Sequence, residues 1–288
     1  MNTFHQFLLN NPILANKLKD TQVNILITGA TGCGKSSTIN ALFGDNVAKV
    51  GQTSRPQTMD ISKYELDGGK IVLWDSPGLG DGKDADERHA KNIINKLYEL
   101  DKNNKPLIDI VLVILDGSSR DLGTTFELIN QVIIPNLGND KKRLIVAINQ
   151  ADMAMKGRNW NNKENKPEKE LEAFLNEKVI STKERIKEAT QVDVNPIYYA
   201  AGYKDGSDSQ LPYNMLKLLT LILENISSEK RIIVAGNTNK SGGVWKSNDS
   251  LLDYGKKALS LVTDAISAIV GGVVSLVSGV FSWVGSLF

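Results

Sequence analysis

Apolar residues fall along this chain in short runs that alternate with helical stripes. The run VNILITG, from Val23, is bounded by turn residues and followed by GATGCGKSSTINALF, whose second half is helix-like. That succession predicts a strand, a glycine loop and a helix. ISKYEL and KIVLWD flank Asp67, Gly68 and Gly69, the pattern of a hairpin with a tight glycine turn. In DADERHAKNIINKLYELD, Ile93, Ile94, Leu97 and Leu100 form a helical stripe, whereas IDIVLVILD is apolar almost throughout, as suits a strand covered on both faces. FELINQVIIPNL then predicts a helix, RLIVAIN a buried strand, residues 168–188 an exposed charged helix, VNPIYYA a strand and LPYNMLKLLTLILENI a further helix. Strands alternating with helices predict an α/β fold, a doubly wound and mostly parallel sheet whose hairpin supplies one antiparallel edge strand.

Around this domain, placed at residues 21–228, the pattern changes. Residues 1–20 suggest a short amphipathic helix and no secretory signal. The polar, Asn-rich KGRNWNNKENKPEK, between Met153 and Lys169, suggests a surface insertion. NTNKSGG resembles a flexible linker, so residues 229–250 are expected to be a linker and 251–288 a hydrophobic helical appendage.

Composition narrows the function classes. Of 288 residues 41% are hydrophobic and 23% charged, which suits a globular protein and excludes global disorder. With 34 Lys and Arg against 33 Asp and Glu, the net charge of +1 leaves any attraction to nucleic acid or anionic membrane to local patches. Cys33 is the one cysteine, which excludes a disulfide framework and suits a reducing cytoplasm. His5 and His89 have no spaced partner and do not suggest a metal site.

Three motifs carry chemistry. GATGCGKS, Gly29 to Ser36, fits G-x-x-x-x-G-K-[ST]. Glycines let backbone N–H groups approach phosphate, and the following helix adds the positive end of its dipole. Gly29, Thr31, Gly32, Cys33, Gly34, Lys35, Ser36 and Ser37 are the expected phosphate-binding residues. Lys35 would reach the β- and γ-phosphates and the Ser36 hydroxyl would ligate Mg²⁺. DSPG, Asp75 to Gly78, ends the strand KIVLWD, which puts Asp75 where a phosphate-bound Mg²⁺ is held and the Gly78 N–H near a γ-phosphate. NQAD, Asn149 to Asp152, ends RLIVAIN. There the Asp152 carboxylate can accept from guanine N1–H and the exocyclic amine, a pair adenine does not present.

Together these resemble the G1, G3 and G4 motifs of translation-factor-class P-loop GTPases. The wording GKSSTINALFG, LWDSPGLGDG, LVILDGSSRDLGTT and INQADMAMKGR resembles the Era-like, prophage-associated YfjP/YeeP group, over about residues 20 to 226. The resemblance implies a domain that binds GTP or GDP with Mg²⁺ and hydrolyses GTP. It implies that Thr58, with Thr53 as the competing choice, is the switch I threonine that closes on Mg²⁺ and the γ-phosphate. It also places the fifth motif, near guanine, at Ala200 and Ala201, without the usual serine. Lys35, Thr58 and Gly78 are thereby the catalytic candidates, with Ser36, Thr58 and Asp75 as metal ligands.

Two departures matter. Gln150 stands where the family has lysine; it can still brace the loop but lacks the cation. Leu79 follows DSPG where Ras-like enzymes have glutamine, and it cannot orient a water. Hydrolysis then uses another group: Arg55 and Arg120 are candidates, although solvated surface arginines are the plainer alternative. Potassium-using relatives carry an asparagine at the position of Gly32, so no strong potassium dependence is expected. Cys33 is expected to be an inert small residue of the phosphate loop.

From Ala265 to Phe288 the chain holds fifteen apolar residues, four Gly, five Ser and no charge. At about 1.5 Å per residue such a helix could cross a bilayer core of about 30 Å. Thr263, Ser267, Gly271, Ser275 and Gly279 would form a small-residue stripe, with Lys256 and Lys257 just before it. Contact with an anionic membrane, from the inner face, stands beside two alternatives: cover for an apolar groove, or a helix of a dimer or larger homo-oligomer. Era-like relatives also bind ribosomal or other structured RNA, but no appended cluster of basic and aromatic residues is seen here. The phosphate-loop wording also resembles septin-like and immunity-related GTPases, which self-assemble under nucleotide control.

Substituting Asp152→Asn should move base preference from guanine toward xanthine in a competition binding assay; an unchanged preference for guanine would remove Asp152 from the base pocket.

Overall fold

The computed structural model describes residues 3–44, 47–48, 60–80, 82–205 and 208–270. Along the chain run α1 (Thr3–Leu9), α2 (Pro12–Leu18), β1 (Val23–Gly29), α3 (Lys35–Phe43), β2 (Ser62–Leu66), β3 (Ile71–Asp75), α4 (Lys83–Tyr98) and β4 (Ile110–Asp116). There follow α5 (Gly123–Glu127), a π-type turn over Leu128–Ile133, α6 (Ile134–Asn136), β5 (Leu144–Asn149), β6 (Trp160–Asn161), β7 (Lys166–Pro167) and α7 (Lys169–Thr190). Last come β8 (Ile197–Tyr198), β9 (Tyr203–Asp205), β10 (Asp208–Gln210), α8 (Met215–Glu224), α9 (Ser228–Gly236), α10 (Gly243–Lys246) and α11 (Leu251–Val270).

The apolar runs form the middle of a six-stranded sheet in the order β2-β3-β1-β4-β5-β8, with only β2 antiparallel to its neighbour. Every residue of β1 and β5 is buried. Alternate side chains serve two cores: Ile25, Ile27, Ile110, Leu112, Ile114 and Ile145 face one, and Leu26, Val111, Val113, Leu115, Val146 and Ile148 the other. That division makes the fold doubly wound, because each face needs its own helical cover. The first face is covered by α1, α2, α3 and the C-terminal helices; the second by α4, the bent α5–α6 segment and α7. The expected hairpin is β2 and β3, paired Ser62↔Asp75 to Leu66↔Ile71.

The ends of the chain differ from the sequence expectation. Where one helix was expected within residues 1–20, residues 3–18 hold two, divided at Asn11 where Pro12 starts the second; proline suits a first helical turn because it needs no donor there. Phe4 is fully buried, and a Cβ on Gly236 would lie 2.4 Å from its ring, so the ring packs directly on the α9 backbone.

Residues 229–250 are not a linker. They hold most of α9 and all of α10, and Ile232, Ile233, Val234, Val244 and Trp245 join the first core. The polar NTNKSGG stretch is drawn in by hydrogen bonds. Asn239 donates through its backbone N–H to Leu42 O (2.8 Å) and through Nδ2 to Asn40 O (3.2 Å), which satisfies carbonyls at the end of α3. Trp245 Nε1 in turn donates to Asn239 O at 2.9 Å.

The helix α11 packs on α9, α8 and α2 through Ala258, Val262, Ala265 and Ile266. The expected hydrophobic appendage therefore begins as part of the body, and no helix among the described residues is long and apolar enough to cross a membrane. Residues 271–288 lie outside the described residues. The 153–169 insertion is also partly packed: it forms a β6–β7 hairpin that buries Trp160 edge-on to Tyr213, ring centroids 5.4 Å apart.

Replacing Trp245→Ala removes the largest fully buried side chain of the supposed linker and should cost about 3–5 kcal/mol of stability by denaturant titration; a loss near zero would leave α10 outside the core.

Candidate functional site

The site lies at the carboxyl edge of the sheet. Strand order reverses at β1, since β3 lies on one side and β4, β5 and β8 on the other, and the loop after β1 opens into the crevice at this switch point. Gly34 closes the loop with φ +90°, and a Cβ there would lie 2.2 Å from Asn149 Nδ2. Only glycine meets both demands. Lys35 begins α3 and turns its ammonium back over the loop, donating to Gly29 O (3.3 Å) and Ala30 O (3.1 Å). Ser36 and Ser37 are half-buried on the first turn of α3. One turn on, buried Thr38 donates to Gly34 O at 2.8 Å, and its Oγ1 lies 2.6 Å from the hydroxyl of fully buried Tyr199. Burial holds the Tyr199 phenol well above its ordinary range, so it stays a neutral partner. Neither residue belongs to a motif, and no sequence pattern marks the pair.

Asp75 ends β3 beside this loop. Burial pushes its pKa up to about 6, against the Lys35 charge and a hydrogen bond from Ser36, which both favour the carboxylate. Its Oδ1 is buried and has no hydrogen-bond partner among the described residues. A buried carboxylate oxygen with an open valence, next to a serine hydroxyl, fits a hard cation such as Mg²⁺. Ser36 and Asp75 would hold the ion, which when bound would neutralise charge on the β- and γ-phosphates.

After Asp75 the chain is stitched to the phosphate loop. Ser76 N–H donates to Ile27 O (2.9 Å), Leu79 N–H to Gly29 O (3.3 Å) and Thr31 N–H to Leu79 O (3.0 Å). Gly78 fits here because a Cβ would sit 2.2 Å from Thr31 Oγ1. Leu79 is buried in the second core, which agrees with its having no role in orienting water. Thr58, Thr53 and Arg55 lie outside the described residues. Arg120 is exposed. Cys33 is fully buried, and burial pushes its thiol up to about 11, so it is not a thiolate at neutral pH.

The other half of the site is built on β5. Asn149 Nδ2 donates to Cys33 O (2.9 Å), and its Oδ1 accepts from the Ala201 N–H (2.9 Å), so one amide joins the first, fourth and fifth motif positions. Gln150 has φ +59° and donates from Nε2 to Gly32 O at 2.8 Å, a brace between the base-side loop and the phosphate loop that needs no cation. Asp152 is nine-tenths buried; burial raises its pKa, opposed by neighbouring backbone N–H groups and Gln210. Ala201 is buried in the loop after β8.

Residues 24–150 match the family described as 50S ribosome-binding GTPase. Over those residues the chain resembles P-loop GTPases. Over 106 residues it is 35% identical to translocase of chloroplast 108 from Physcomitrium patens, covering 36% of this chain and 10% of that one. Over 141 residues it is 30% identical to the uncharacterized Escherichia coli K12 protein YfjP, covering 48% and 45%. Over 143 residues it is 31% identical to tRNA modification GTPase MnmE of Dichelobacter nodosus, covering 48% and 29%. The chain thus spans less than half the length of each of these relatives.

The raised pKa of Asp75 gives the fold a testable cost. As pH rises from about 4 through 6, the folded, nucleotide-free protein must ionise a buried carboxyl that the unfolded chain ionises freely, so the penalty is fully present above about pH 6. Asp75→Asn should raise the melting temperature at pH 8, with the gain gone at pH 4, while weakening Mg²⁺-dependent nucleotide binding; a lower melting temperature at pH 8 would contradict the assignment.

Proposed function

We propose that this chain binds GTP and GDP with Mg²⁺ and hydrolyses GTP slowly, as a nucleotide-dependent switch. The observation that carries the reading is the buried Asp75 Oδ1, without a hydrogen-bond partner among the described residues, beside Ser36 and Lys35. In this reading the loop N–H groups from Gly32 to Ser37 bind the phosphates, with Thr31 lining the loop beside them, and Lys35 leaves the carbonyls of Gly29 and Ala30 for the β- and γ-oxygens. The Gly78 N–H steadies the γ-phosphate, and Thr58 closes on the metal. Asp152 takes the guanine edge while Asn149, Gln150 and Ala201 shape the pocket. Positioning and charge then do most of the catalysis. Leu79 holds no water, so the intrinsic rate is low and a protein partner or second copy supplies the stimulating group.

The effector end is the uncharged segment that runs on from α11. Its apolar load supports contact with an anionic membrane, with the GTPase domain in the cytoplasm. Two other readings remain in play. The matched family is described by ribosome binding, which supports structured RNA as an alternative partner. Nucleotide-controlled self-assembly is the third.

One experiment tests the switch and its end together: phosphate release from Mg²⁺-GTP by the full chain and by a chain ending at Val270, in K⁺ or Na⁺, with and without anionic liposomes that are then floated. GTP-specific release at similar rates in both salts, with only the full chain floating, is the expected result. No release would overturn the hydrolysis reading, and equal flotation of both chains would move the membrane contact away from residues 271–288.

A further inference from the structure

Lys178 belongs to none of the motifs. It lies on α7, and its half-buried ammonium donates to Gly117 O and Ser119 O, both at 2.7 Å, and more weakly to Asp116 O at 3.5 Å. Burial lowers its pKa, with the Asp116 carboxylate opposing, so a cation is held here at a desolvation cost. A lysine that gives its donors to loop carbonyls, with no salt bridge to a carboxylate among the described residues, fixes backbone rather than neutralising charge.

The loop it grips lies against the base-side turn. Asp116 pairs with Asn149 in the β4–β5 register, and the Gly117 N–H donates to Asn149 O at 2.7 Å. A Cβ on Gly117 would lie 2.4 Å from Asn149 O and 3.2 Å from Gln150 O, so the two backbones touch. Ser118 is held by Asp116 Oδ1, through its N–H at 2.8 Å and its hydroxyl at 2.7 Å, which also brings Ser118 Oγ to 3.3 Å from Gln150 Oε1. The carbonyls of Gly117 and Ser119 are then turned to α7, where Lys178 meets them.

We propose that Lys178 is a positioning residue for guanine recognition: from α7 it presses the Gly117–Ser119 loop onto Asn149 and Gln150, so a cation outside the motifs steadies a base-side turn whose own second residue is uncharged. It acts through the loop and touches no nucleotide. The proposal rests on the reading of Asp152 as the guanine partner.

The test measures dissociation constants for GDP, IDP, ADP and tripolyphosphate with the full chain and with Lys178→Met. IDP lacks the exocyclic amine, so the GDP-to-IDP ratio reports how well Asp152 is placed, while tripolyphosphate reports the phosphate loop alone. The expected result is GDP binding weaker by about ten-fold, a fall in the GDP-to-IDP ratio, unchanged tripolyphosphate binding and substantial rescue by Lys178→Arg. A folded Lys178→Met with the wild-type ratio, or one in which all ligands weaken together, overturns the proposal. If Lys178→Met does not fold, Gly117→Ala puts a methyl between the same two backbones with Lys178 in place, and a wild-type ratio there overturns it equally. Wild-type protein with no preference for GDP over ADP would instead refute the underlying functional reading.

Discussion

The side-chain amide of Asn149 is the interaction on which the site depends. It is almost fully buried, and both of its ends are used: the nitrogen on Cys33 O of the phosphate loop, the oxygen on Ala201 N–H after β8. A buried amide left with one end unpaired loses more than the bond itself, because the orphaned group has lost water as well. The three loops are thereby held in one mutual arrangement. Gly34 has no Cβ because Asn149 Nδ2 fills that space, and Gln150 adds a second tie across the same gap. The Thr38 to Tyr199 contact repeats the connection one layer deeper.

A second constraint is electrostatic. Asp75 is placed where its ionised form is disfavoured, and what offsets this is local, the Lys35 charge and the Ser36 hydroxyl. Such an arrangement is poor for stability and good for capturing a cation together with phosphate. Leu79 follows the opposite rule. Its burial stabilises the second core and its backbone bridges to Thr31 and Gly29, so this stretch is held by packing and backbone pairing rather than by a polar side chain facing the phosphates.

The C-terminal helices belong to the same body. Asn239 caps the end of α3, and α3 begins at the phosphate loop, so the segment after residue 228 supports the helix whose amino end faces the site. Asn214 makes a parallel link: its Nδ2 donates to Tyr198 O, and its Oδ1 accepts from Asp249 N–H just before α11. The base-side strand and the C-terminal helix therefore share one buried polar residue.

The sequence by itself determined the doubly wound sheet, since runs such as IDIVLVILD and RLIVAIN are too apolar for any strand with a wet face, and it marked Lys35, Asp75 and Asp152 by fixed spacing from strand ends. It also exposed the two departures, Gln150 and Leu79, because a motif makes its own exceptions visible. What it could not disclose were interactions with no period and no pattern. Asn239 looks like a linker residue until α3 offers it carbonyls, and Trp160 looks like part of a polar insertion until Tyr213 lies beside it. Tyr199 and Lys178 carry no motif at all. Only the tertiary structure decided their roles, because a hydrogen bond between residues 161 or 61 positions apart depends on where the sheet places both ends, and local composition is blind to that.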